Sequence, residues 1–211
     1  MVTRKEQDTA RNYIPEHPTL RKLQQAAEHC KACELYKLGT QTVFGEGRLK
    51  SRIMLIGEQP GNDEDLAGKP FVGPAGKLLD KALAAAGIDR VDAYVSNVVK
   101  HFKWEPKGKL RLHKKPSARE VGACLPWLEE EIALIKPEIL VLLGATAAQA
   151  LLGKVFRVTK ERGKIFASPF AASTMATVHP SSILRQRSSE EREREFDHFV
   201  QDLTVVADFL S

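Results

Sequence analysis

The chain has 211 residues, 43% of them apolar and 28% charged, a balance that excludes disordered and collagen-like classes and suffices for one sizeable core. A net charge of +5 is mildly basic, with Lys and Arg gathered at 100–115 and 157–164. That clustering suits a polyanion, although it also describes an ordinary solvated surface. No apolar run reaches membrane-spanning length, and Met1-Val2-Thr3-Arg4-Lys5-Glu6-Gln7 lacks the apolar core of a secretory signal, so a cytoplasmic protein is expected.

Residues 1–18 are polar and uneven and are expected to wrap the surface. A helix over 20–29 then delivers Cys30-Lys31-Ala32-Cys33. Residues 52–57 form a short apolar run before a Gly- and Pro-rich loop, the pattern of a buried parallel strand. That loop is expected to run to Gly76, with helical periodicity over 77–86 and Gly87 placed to end it. A second strand is predicted over 93–97, followed by a long cationic loop over 98–116.

Ser117 and Glu120 make a capping-box pattern, and Val121, Leu125, Leu128, Ile132 and Ile135 continue at helical spacing, with Cys124 near the start. Further strands are predicted over 138–143 and 174–178, with a helix over 145–152 between them. From Ser189 onward, Phe196, Phe199, Val200, Leu203, Val206 and Leu210 share one helical face, which should dock on the sheet. Alternating strands and helices imply one domain over 1–211, a three-layer α/β/α arrangement with a mostly parallel central sheet. In such a sheet the strand ends converge on one crevice, so Glu58, just after one strand, and His179, just after another, can share a pocket.

Three cysteines, Cys30, Cys33 and Cys124, are an odd count that argues against a disulfide framework. Metal ligation or burial remains. On spacing alone, three cysteines and one histidine suit a four-ligand zinc site.

Four strings taken in order, Gly57-Glu58-Gln59-Pro60-Gly61, Gly68-Lys69-Pro70-Phe71-Val72-Gly73-Pro74-Ala75-Gly76, Ser96-Asn97-Val98-Val99-Lys100 and His179-Pro180-Ser181, resemble the iron–sulfur uracil-DNA glycosylases. The resemblance implies an enzyme that flips deoxyuridine out of DNA and breaks its glycosidic bond. Phe71 would stack on uracil, Asn97 would read the pyrimidine edge, and His179 would stabilise charge on the departing base. Glu58 would steady the sugar cation or position the nucleophile, and Gln59 would orient uracil or exclude water. Ser181 and Arg185 would touch the DNA backbone. The implied 4Fe-4S cluster would be held by Cys30, Cys33, His101 and Cys124, with His101 standing where the family places a cysteine. Zinc is the less favoured occupant.

The stretch Lys107-Gly108-Lys109-Leu110-Arg111-Leu112-His113-Lys114-Lys115-Pro116 is similar to the basic, histidine-ending loop of the UdgX-type branch, whose members form a covalent bond to DNA after excising uracil. Gln59 agrees with that branch; Leu110 stands where it commonly has another basic residue. By this likeness His113 would attack the anomeric carbon, and Lys109 and Arg111 would draw phosphate toward the loop. The expected partner is uracil-containing DNA, single-stranded by preference, acted on by a monomer. The other readings are an ordinary hydrolytic glycosylase, with His113 a solvated loop residue, and a metal-stapled nucleic-acid-binding module without catalysis.

Overall fold

The computed structural model describes residues 8–211. The expectations for the first seven residues, including the missing secretory signal, lie outside that range. In chain order the regular elements are α1 (Leu20–Ala27), β1 (Ile53–Gly57), α2 (Asn62–Ala67), α3 (Pro74–Ala85), β2 (Ala93–Asn97), β3 (Trp104–Lys107), β4 (Leu110–His113) and α4 (Ala118–Ile135). They continue with β5 (Ile139–Leu143), α5 (Ala145–Leu152), α6 (Val158–Glu161), β6 (Ile165–Phe166), β7 (Thr174–Thr177), α7 (Pro180–Leu184) and α8 (Ser189–Leu210).

The central sheet has the order β2-β1-β5-β7-β6, with β1, β2, β5 and β7 parallel and β6 antiparallel at the edge. The strand side chains alternate between two cores because successive residues of a strand face opposite ways. Met54, Ile56, Leu140 and Leu142 meet α1, α4 and α5 through Leu23, Trp127, Leu128 and Ala147. Ile53, Leu55, Val141 and Leu143 meet α3 and α8 through Leu79, Leu83, Phe199, Leu203 and Val206. The sheet is thereby covered on both faces, the three-layer α/β/α arrangement expected. Burial on both faces is also why β1 and β5 read as unbroken apolar runs.

The chain leaves β1 toward β2 on one side and returns to β5 on the other, so the order reverses between β1 and β5. A crevice opens at such a reversal, beyond the carboxyl ends of the strands. Among the described residues no helix is long and apolar enough to cross a membrane.

The capping box at α4 is complete: the Glu120 backbone N–H donates to Ser117 Oγ (3.3 Å), and the Ser117 N–H donates to Glu120 Oε2 (2.6 Å). Two expected loops are not featureless. Residues 98–116 contain the antiparallel hairpin β3–β4, in register Trp104 to His113, turned at Gly108 with φ +60°. Its strands lie at the surface and contain Pro106, so no apolar run announces them. The loop after β1 holds α2, six residues rich in Asp and Glu whose first-turn carboxylates favour the helix's positive end.

Candidate active site

Glu58 follows β1, Asn97 ends β2, and His179 lies two residues beyond β7 as the N-cap of α7. Their shared position is a property of the parallel sheet. Gly57 pairs in register with Asn97, and a Cβ built on Gly57 would lie 2.4 Å from Asn97 Oδ1 and 2.8 Å from Phe71 Cζ. Only glycine lets the buried amide and the aromatic ring approach this closely. Phe71 has φ +56°, a left-handed conformation costly for an aromatic residue and often found at functional sites. Its ring lies 6.1 Å from the His179 imidazole, centroid to centroid, inclined by 28°.

Gly57→Ala is accordingly expected to push Asn97 and Phe71 apart. The melting temperature should fall, for an overpacking cost of roughly 1–3 kcal/mol. An unchanged melting temperature would mean that the amide and the ring can part without strain.

His179 has its tautomer set by the fold. The Ser181 backbone N–H donates to Nδ1 (3.1 Å), and Ser181 Oγ lies 2.8 Å from the same nitrogen. A nitrogen that accepts carries no proton, so the neutral ring's proton sits on Nε2, which is free to donate. Burial, with the charges of Arg185 and His113 adding to it, holds His179 down to about 4.

Glu58 is held from two sides. The Thr146 hydroxyl, near the start of α5, donates to Oε2, and His113 Nε2 lies 3.6 Å from Oε1, within ion-pair reach but longer than a hydrogen bond. The Thr146 contact spans the reversal between β1 and β5. Thr146 was not among the expected site residues; its one sequence signal is a hydroxyl at the start of a helix directly after a central strand. Burial pushes the His113 imidazole below its ordinary value, with Glu58 opposing and Arg185 assisting.

The hairpin brings His113 there. On β4, Arg111 and His113 point to one face by the two-residue period, while Leu110 and Leu112 are exposed on the other. Arg111 donates from Nη1 to Asp65 Oδ2 (2.7 Å) and from Nε to Asn62 Oδ1 (2.8 Å), and its guanidinium lies over the Phe102 and Trp104 rings. Its fork thus meets α2 and clamps the hairpin.

Gln59 also ties the hairpin down. Its amide donates to the Lys103 and Lys114 carbonyls (3.2 and 3.0 Å) and accepts from the Lys103 N–H (3.2 Å). Those bonds staple the base of the hairpin. Lys109 is exposed at the hairpin turn, and Arg185 is exposed while bonding Ser181 Oγ (3.0 Å), so both can meet a phosphate.

Cys30 and Cys33 are half-buried and Cys124 is buried. The three thiols lie near enough to one another to act on each other electrostatically. Burial pushes the Cys33 thiol up and Cys124 up to about 12. The Lys100 backbone N–H donates to Cys124 Sγ (3.3 Å), the kind of bond that cluster sulfurs accept. His101 Nε2 faces Thr42 Oγ1 at 3.0 Å, leaving Nδ1 as its other nitrogen. Among the described residues no three His, Cys, Asp or Glu side chains group as ligands of one ion. The donor set of three thiols and an imidazole has the chemistry of an iron–sulfur cluster's ligands, which are spread over several irons.

The model of the Uracil DNA glycosylase superfamily matches residues 44–204, a span that begins before β1 and ends within α8. The chain belongs to that superfamily. It is 42% identical over 164 residues to a Type-4 uracil-DNA glycosylase of Thermotoga maritima, covering 77% of this chain and 82% of that protein. A Type-4 uracil-DNA glycosylase of Pyrobaculum aerophilum is 37% identical over 174 residues, 79% of this chain and 85% of that protein. A third, from Archaeoglobus fulgidus, is 35% identical over 175 residues, 79% of this chain and 84% of that protein. The matched superfamily span takes in Glu58, Phe71, Asn97, His113, Thr146 and His179 alike.

Proposed function

We propose that this superfamily member excises uracil from DNA, and that the convergence of Glu58, Phe71, Asn97 and His179 at the carboxyl ends of the parallel strands carries that function. A flipped base needs an aromatic face, an amide offering donor and acceptor, and a donor aimed at the oxyanion that forms as the base leaves. Phe71, Asn97 and the Nε2 proton of His179 supply these in turn. As the glycosidic bond breaks, its electron pair leaves with uracil and positive charge grows on the sugar, where the Glu58 carboxylate stabilises it. Water then attacks the anomeric carbon and loses a proton to solvent, leaving an abasic site and the uracil anion. This ordinary glycosylase is the form that likeness to the Type-4 uracil-DNA glycosylases supports.

A second reading rests on one distance, the 3.6 Å from His113 Nε2 to Glu58 Oε1. It sets a neutral imidazole beside the carboxylate that would face the sugar cation, as the UdgX-type resemblance requires. The Nε2 lone pair would then form the bond to the anomeric carbon, and the resulting imidazolium would lose its Nδ1 proton to solvent. With no second step to release the protein, this form makes a single turnover.

In either form Cys30, Cys33, Cys124 and His101 would hold a 4Fe-4S cluster, which supplies a structural staple. That staple would tie the segment up to residue 35 to the rest of the domain. A labelled uracil-containing single strand on a denaturing gel, with and without alkali, tests both readings. Strand cleavage after alkali without a shifted band is expected for the hydrolytic form. A uracil-dependent, heat-resistant shifted band that disappears in His113→Ser identifies capture. Neither product, from folded protein that carries its cluster, overturns both.

A further inference from the structure

Beneath the pocket lies a buried charged pair that none of the roles above uses. Lys100 and Glu131 have side chains 1% and 0% exposed and form an ion pair. Lys100 Nζ also donates to Ser96 Oγ (2.7 Å) and to the Asn97 carbonyl (2.8 Å), and it lies 5.2 Å from the Phe44 ring centroid. Glu131 accepts from Ser96 Oγ (2.8 Å), Tyr94 Oη (2.9 Å) and the Gly45 N–H (3.0 Å). Every polar atom of the pair is thereby engaged. Replacing such a pair by apolar residues of similar volume is often neutral for stability, so its presence calls for another reason.

The bonds supply one. Nζ holds the carbonyl of Asn97 and the hydroxyl of Ser96, the last two residues of β2, while the Lys100 backbone N–H reaches Cys124 on α4. We infer that Lys100, with Glu131 as its counter-charge, is a positioning residue for the base-reading amide of Asn97, locking the end of β2 so that its side chain meets the pyrimidine edge at a fixed angle. Past Asn97 the Val98 and Val99 N–H groups still reach the Gly57 and Glu58 carbonyls, but the Asn97 carbonyl is held by Lys100 Nζ, and an amide turned by a few tens of degrees loses the two-point match that separates uracil from cytosine. Lys100 touches neither base nor sugar; it acts through Asn97.

This inference rests on the uracil-excision reading, and a double-mutant cycle keeps the two apart. The assay measures uracil release from a single strand under single-turnover conditions, beside affinity for the same strand carrying cytosine, the melting temperature and the cluster's visible absorbance. Because Lys100→Met alone strands a buried carboxylate, the main variant is Lys100→Met with Glu131→Gln, a neutral pair in which the glutamine amide still meets Gly45, Tyr94 and Ser96. It is expected to keep its melting temperature, its absorbance and its affinity for the cytosine strand, while uracil release falls by about tenfold or more. Placed on Asn97→Ala, the same pair of changes should cost nothing further, because residues acting as a unit are non-additive.

Full uracil release by the neutral-pair variant overturns the inference. So does a loss that multiplies with that of Asn97→Ala, or one that follows melting temperature and cytosine-strand affinity in parallel. Absence of release by the unsubstituted protein would instead strike the excision reading itself.

Discussion

Replacing His179 with alanine is expected to slow uracil release by about 10²–10³-fold while leaving affinity for an undamaged strand unchanged, since removing one donor from a developing oxyanion typically costs that much. The direction follows from two facts of the fold. The Ser181 N–H fixes the proton on Nε2, and burial holds the ring neutral down to about 4. A neutral donor suits a leaving group that acquires charge only as the bond breaks, because it adds little to binding of the intact nucleotide. Single-turnover release and equilibrium binding, measured side by side, check the split. A variant that loses both in proportion would place His179 in DNA binding instead.

The same burial makes a prediction about pH. With an ordinary value of 6.5 and a folded value of about 4, His179 takes up a proton in the unfolded chain before the folded one does. Between those limits the unfolded state binds more protons, so stability is greatest above the upper limit and falls as pH is lowered toward the lower one. The loss attributable to this residue is on the order of 3 kcal/mol. Denaturant titrations at pH 7 and pH 4 on the protein and on His179→Asn should differ in their pH dependence by that order, the variant being the flatter. Equal slopes would show that the imidazole is not held neutral.

The parts of the fold and site that sequence reveals are those where burial dictates residue type. β1 and β5 are covered on both faces and read as apolar runs; α4 carries its own cap; α8 shows its apolar stripe. Glu58 stands out because it follows such a run, whereas Asn97 closes β2 and His179 lies two residues past β7, strands that bury Ser and Thr among their apolar residues. The hairpin β3–β4 is different: its residues are mostly exposed, so no burial pattern is imposed on Trp104-Glu105-Pro106-Lys107 or Leu110-Arg111-Leu112-His113. A resemblance could draw attention to His113, but only the register of Trp104 with His113 and the staple from Gln59 explain how it reaches Glu58. Arg111 and Gln59 illustrate the general difficulty. A cation in a basic loop and an amide in a glycine-rich loop are equally suited to ligand or backbone, and which they meet depends on α2 and the hairpin, elements that no periodicity announces.

Glu58→Gln is expected to lower the single-turnover rate of uracil release by about 10²-fold, since a fixed carboxylate beside a growing cation acts in a site where water screens little. Glutamine keeps the shape and can still meet the Thr146 hydroxyl, so the change isolates charge. Thr146→Val tests orientation. It removes the donor to Oε2 while leaving the carboxylate in place, and the expected loss is smaller, about tenfold, the scale of one hydrogen bond to a charged group. Because Thr146 works only through Glu58, the valine change should cost little further on the Glu58→Gln background, whereas two independent contributions would multiply. If Thr146→Val slows release equally with and without the carboxylate, the hydroxyl acts elsewhere, and the contact across the reversal between β1 and β5 is architecture alone. If it slows release only when Glu58 is present, the crevice between the two strands is what aims the catalytic charge, and the parallel sheet's topology is a working part of the site.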